Sequence, residues 1–99
     1  MVPFDLSAVT IDSFEPRLRE TFSLQTPSGE LALILAEVQR LGTSGREGGA
    51  FSLLFLGEPG PFLPQAIHRL THRTLGAMDL FLVPLGPQQG RNAYEAIFA

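Results

Sequence analysis

Four glycines, Gly42, Gly45, Gly48 and Gly49, crowd the segment LGTSGREGGA, and glycine-rich loops are recurrent backbone cradles for phosphate. A cradle of that kind follows a strand, opens a helix whose N-terminus faces the anion, and usually carries a lysine. Here the glycines lead into the apolar run Phe51 to Leu56, and the chain contains no lysine. The segment therefore reads as a flexible connection between strands. Arg46 within it could meet an anion or a partner carboxylate, but an isolated loop arginine is ordinarily solvated.

His68 and His72 stand four residues apart, a spacing that on a helix would suit one metal ion. Their surroundings, AIHRLTH, read as extended. Four residues of strand span roughly 13 Å, far beyond the ~2 Å bonds of a shared metal. The expectation is a partly buried His68 ring beside Leu70, with His72 at the strand end. The ten carboxylates are spread along the chain with no pair set up for acid and base work, and the six serines show no nucleophile elbow. Without cysteine there is neither a disulfide nor a thiolate nucleophile. The residue types predict a protein that is not an enzyme, with no catalytic residue, metal or cofactor.

Composition narrows the partners. With 99 residues, 44% hydrophobic and 17% charged, the chain is expected to form one globular β domain over residues 1–99. A formal charge of −3, with seven scattered arginines as the whole basic complement, argues against nucleic acid, whose binding rests on clustered cations. Eight of the nine aromatics are Phe, which lacks a polar handle and belongs in cores or dry interfaces. No apolar stretch approaches the ~20 residues of a membrane helix. The start, MVPFDLSAVTIDSF, lacks the basic and apolar regions of a signal peptide. The expectation is cytoplasmic synthesis without membrane contact, the final compartment being open.

The elements that would position these residues are mostly strands. Thr10 is placed to cap one or two helical turns over residues 11–15, ended by Pro16. Residues 20–26 alternate, with Phe22 and Leu24 on one face, and Thr26-Pro27-Ser28-Gly29 has the chemistry of a hairpin turn. Residues 30–40 have helical propensity, but the preceding turn and the missing polar helical face favour a long strand. Further strands are predicted at 51–56, 66–71, 77–83 and 93–98, separated by the glycine- and proline-rich segments GEPGPFLP and PLGPQQGRN. The predicted architecture is a small antiparallel barrel or sandwich of about six strands with one short N-terminal helix.

Three strands, at 31–36, 53–56 and 80–83, are apolar on both faces. A small barrel buries only its inner face, so the outer residues need another cover. Some cover is expected from the helix and from Phe62 and Leu63 laid over an exposed edge. The rest is expected at an interface formed by Phe51, Leu54, Leu56, Phe62, Leu63, Phe81 and Val83.

Several residues also carry a family resemblance. They are Phe14, Pro16, Glu20, Thr21 and Phe22, then Arg46, Glu47, the run Phe51 to Phe55, Gly57, Leu63, Pro64 and Gln65. Leu70, His72, Leu75, Gly76, the run LFLVP at 80–84, and Tyr94, Glu95 and Phe98 complete the set. In these the chain resembles the small bacterial DUF6916 domain proteins over nearly its whole length. One departure is Ala66, where the resemblance implies glycine after the glutamine. The resemblance supplies no catalytic residues; it implies a setting near phage-tail-collar-like proteins. Together these readings predict a structural or interaction subunit. It would form a homo-oligomer or dock on a larger fibre- or collar-like protein through apolar strand faces and edges. The alternative from another class is a barrel enclosing a small apolar ligand among Phe and Leu side chains.

Overall fold

A computed structural model of the chain describes residues 10–27, 29–42, 49–59 and 63–98. Six strands form the fold: β1 (Thr21–Thr26), β2 (Gly29–Gly42), β3 (Ala50–Gly57), β4 (Ala66–His72), β5 (Gly76–Gln88) and β6 (Arg91–Phe98). All neighbours are antiparallel, and the order β1-β2-β3-β6-β5-β4 closes on itself as a barrel. The closing seam is short, with β1 meeting β4 at Ser23↔Thr71 and Leu24↔Leu70. Closure removes the open edge for which the 62–63 loop was expected to provide cover.

Alternation decides which side chains enter the barrel. On β1, Phe22 and Leu24 are buried while Thr21 and Gln25 are exposed, as the sequence pattern predicts. On β2, Leu33 and Leu35 point inward, and a bulge between Leu35 and Glu37 inserts Ala36 as an extra residue. That extra residue shifts the phase, so Val38 rather than Glu37 faces the core, with Leu53 as its partner. Phe51, Leu53 and Phe55 fill the interior from β3, Leu80 and Leu82 from β5, and Tyr94, Ala96 and Phe98 from β6.

Before β1 the chain forms the expected short helical segment, as two consecutive 3-10 turns, Ile11–Ser13 and Glu15–Arg17. Thr10 is extended at the cap position and makes no side-chain cap hydrogen bond. Pro16 does not end the segment but lies in the first turn of the second helix, where its missing N–H leaves no intrahelical bond unmade. Between the turns Phe14 is fully buried, its ring 6.0 Å from that of Phe51 and 5.8 Å from that of Phe98, while Phe51 and Phe98 stack at 4.6 Å. The segment thereby plugs the barrel with the kind of aromatic contact worth ~0.5–1.5 kcal/mol beyond area burial.

The connections explain two boundaries. Thr26 pairs with Gly29, whose φ of 134° only glycine adopts readily; Ser28, within this turn, lies outside the described residues. β5 runs to Gln88, well past the expected end at Val83, despite Pro84 and Pro87. Beyond Leu82, β5 no longer pairs with β4, so Pro84 removes no ladder donor on that side. Pro87 falls in the irregularity between Leu85 and Gln88. Gln89 and Gly90, with φ of 53° and 73°, then make the two-residue primed turn into β6.

Candidate functional site

The residues expected at an interface separate into several environments. Phe51 is 1% exposed and stacked inside the barrel, a correction that follows from its inward position on β3. Leu56 faces outward by alternation but is 7% exposed, and Ala93, its partner on β6, is fully buried. The far end of the β5–β6 hairpin lies beside Leu56 within the same chain. Ile34, Leu54, Leu56, Gln88, Gln89 and Arg91 all border one cleft of about 430 Å³ there. Leu54 and Val83 are half-buried. Leu63 packs against the core rather than over an edge, and its N–H donates to the Tyr94 hydroxyl at 3.0 Å. Phe62 lies outside the described residues, as do Gly45, Arg46 and Gly48 of the glycine segment.

Phe81 alone among the described residues of the expected set is strongly exposed, at 50%. The structure adds two residues to it. Ile67 on β4 pairs directly with Phe81 and is 69% exposed; Ile97 on β6 is 55% exposed. The β5–β6 ladder runs from Val83↔Glu95 toward the hairpin, so Ile67 and Phe81 form the cross-strand apolar pair, and Ile97 lies by alternation on the outer face of β6 two residues beyond Glu95. Alternation within AIHRLTH and NAYEAIF contained the signal, since it places Ile67 with Arg69 and Ile97 with Glu95 on outer faces. Neither strand is apolar on both faces, so that criterion does not single it out.

Beside this pair Arg69 grips Asp79 across the β4–β5 ladder, with Nε and Nη2 donating to the two carboxylate oxygens at 2.9 and 3.2 Å. These hydrogen bonds, joined by the guanidinium charge, hold the Asp79 carboxyl below the usual carboxylate range against an opposing desolvation. Reciprocally, the carboxylate raises the Arg69 guanidinium. The pair leaves this part of the face with one charge of each sign.

A second polar arrangement occupies the start of β1 and the β4–β5 turn. The His72 side chain is buried, and its Nδ1 accepts hydrogen bonds from the Thr74 and Leu75 N–H groups, both at 3.1 Å. That geometry assigns the ring proton to Nε2, which donates to Glu20 Oε1 at 2.6 Å. The ring also lies 4.6 Å from that of Phe22. His68 is half-buried and bonds the Pro64 carbonyl, so the two histidines serve different local structures. Among the described residues, no group of three His, Cys, Asp or Glu is placed to hold a metal ion. No helix among them is long and apolar enough to cross a membrane.

Arg17, Arg19, Glu20, Thr21, Arg73 and Thr74 line a cleft of about 520 Å³ beside this histidine. Arg19 has the left-handed φ of 71°, held by its N–H bond to the Leu35 carbonyl at 2.8 Å. Arg17 makes a single long contact with Glu20, at 3.8 Å, and its buried Nε has no hydrogen-bond partner.

No curated protein and no solved structure matches the chain. One family does, described as Domain of unknown function (DUF6916), over residues 9–98. That match spans the two 3-10 turns and all six strands, and the chain belongs to the DUF6916 family.

Proposed function

We propose that the protein is a non-enzymatic interaction subunit that associates with a second copy of itself through the outer face of β4, β5 and β6. The observation carrying this reading is the exposed cross-strand pair Ile67 and Phe81, with Ile97 also exposed on the outer face of β6. The barrel is closed, with every strand hydrogen-bonded to two neighbours over at least part of its length, so the reading rests on side chains of a face rather than on an open edge strand. This revises the expectation that edges also dock. The face carries Arg69 and Asp79 as an ion pair and Glu95 on β6. A copy related by a two-fold axis offers its own Arg69 to these carboxylates, which favours a second copy as the occupant.

Self-association is tested by sedimentation or light scattering of the wild-type chain and of Phe81→Glu across micromolar concentrations. The expected result is a wild-type dimer or larger assembly, with Phe81→Glu monomeric and equally stable, because this side chain lies outside the core. A wild-type monomer throughout that range overturns the reading. Should such a monomer instead bind a fibre- or collar-like protein, the partner named in the sequence reading takes the place of the second copy.

A further inference from the structure

We infer that the cleft bordered by Arg17, Arg19 and Arg73 is a binding site for a small oxyanion, a carboxylate or phosphate group on a molecule that also carries a hydrogen-bond donor. Three of the chain's seven arginines line this one cleft, in a chain whose formal charge is −3. Among the described residues Glu20 is the sole carboxylate lining it, and one of its oxygens is already engaged by His72. The cleft is therefore locally cationic.

The arginines are uncommitted. Arg19 and Arg73 make no ion pair among the described residues, and Arg17 has only its long contact with Glu20. Planar guanidinium forks match the paired oxygens of carboxylate and phosphate, and the hydroxyls of Thr21 and Thr74 add donors at the same wall. Glu20 retains a second oxygen that can accept from a hydroxyl or ammonium on the ligand. The volume of about 520 Å³ is that of a small-molecule site. Its polar lining favours a charged ligand over the apolar one of the alternative sequence reading.

Two features build the site rather than merely expose it. His72 receives the N–H groups of Thr74 and Leu75, which fixes the turn carrying Arg73. Arg19 occupies a left-handed backbone conformation that glycine or asparagine would adopt with less strain. A strained arginine at a cationic cleft is a pattern expected where side-chain function outweighs local backbone preference. The site is distinct from the Ile67–Phe81–Ile97 face and does not depend on self-association.

The test is titration of the full chain with inorganic phosphate and, separately, with citrate, followed by calorimetry and by amide chemical shifts. Saturable binding of either anion is expected, with shifts centred on Arg19, Thr21, Arg73 and Thr74. Phosphate alone would assign a phosphate ligand, and citrate alone a carboxylate. Arg19→Gly and Arg73→Gln should each weaken binding about tenfold or more, whereas Arg69→Gln, on the outer face, should leave it unchanged. Circular dichroism is expected to show Arg19→Gly folded, so lost affinity cannot be assigned to unfolding. Absence of saturation by both anions overturns the proposal, as does equal affinity in the Arg19→Gly/Arg73→Gln double variant.

Discussion

His72 Nε2 lies 2.6 Å from Glu20 Oε1, tying the end of β4 to the residue that precedes β1. The bond reinforces the barrel where its backbone is least connected, next to the seam with its two paired positions. His72→Ala would leave two turn N–H groups and a carboxylate without their partner and would also open space beside Phe22. The expected loss is about 2–4 kcal/mol in chemical denaturation. His72→Asn, whose side-chain oxygen can take the place of Nδ1 toward the turn, should recover part of it.

Phe51 and Phe81 have the same side chain and opposite roles. Phe51→Ala removes a stacked ring from the plug formed with Phe14 and Phe98, for an expected cost of about 3–5 kcal/mol. Phe81→Ala should change the stability of the isolated chain by no more than about 0.5 kcal/mol. Thermal unfolding of dilute protein separates them, and similar losses for both would contradict the assignment of Phe81 to the outer face.

Two backbone positions offer substitutions of opposite sign. Gln89 has a φ of 53° in the β5–β6 turn, a conformation asparagine tolerates better, so Gln89→Asn should stabilise by about 0.5–1 kcal/mol. At Gly57 an added Cβ would stand 2.8 Å from Leu33 Cδ2, and Leu33 is itself buried. Gly57→Ala should therefore destabilise by about 1–3 kcal/mol through overpacking. Urea midpoints of the two variants should move in opposite directions.

Acid should abolish the contribution of the Arg69–Asp79 pair. The Asp79 carboxyl titrates lower in the folded chain than in the unfolded one, because Arg69 hydrogen-bonds to it. Its stabilisation is then present above the unfolded carboxylate pKa of about 3.9 and lost as pH falls through the lower folded value. Wild type should exceed Asp79→Asn in stability near neutrality, and the two should converge in strong acid. The pair is exposed, so the difference is small; one that persisted in acid would have another source.

The strands were legible because the barrel is built on alternation. Phe22 and Leu24 identify β1, and the turn before β2 outweighs the helical propensity of its Leu, Ala and Glu residues. The end of β5 was not legible, since Pro84 and Pro87 ordinarily stop a strand and are accommodated only where β4 has withdrawn. Two-faced apolar runs drew attention to Phe81, which the fold leaves half-exposed, but could not show that the end of the β5–β6 hairpin lies beside Leu56. Neither could spacing join His72 to Glu20, 52 residues away, or bring Arg73 to the cleft of Arg17 and Arg19. Such long-range meetings are products of strand order, which local pattern does not encode.

The bond between the Leu63 N–H and the Tyr94 hydroxyl has an optical consequence. Tyr94 is the chain's single tyrosine, and there is no tryptophan. Ultraviolet emission therefore arises chiefly from one phenol, which sits in the core and touches the segment before β4. Wild-type protein carries its own reporter for the docking of that segment, readable without a label.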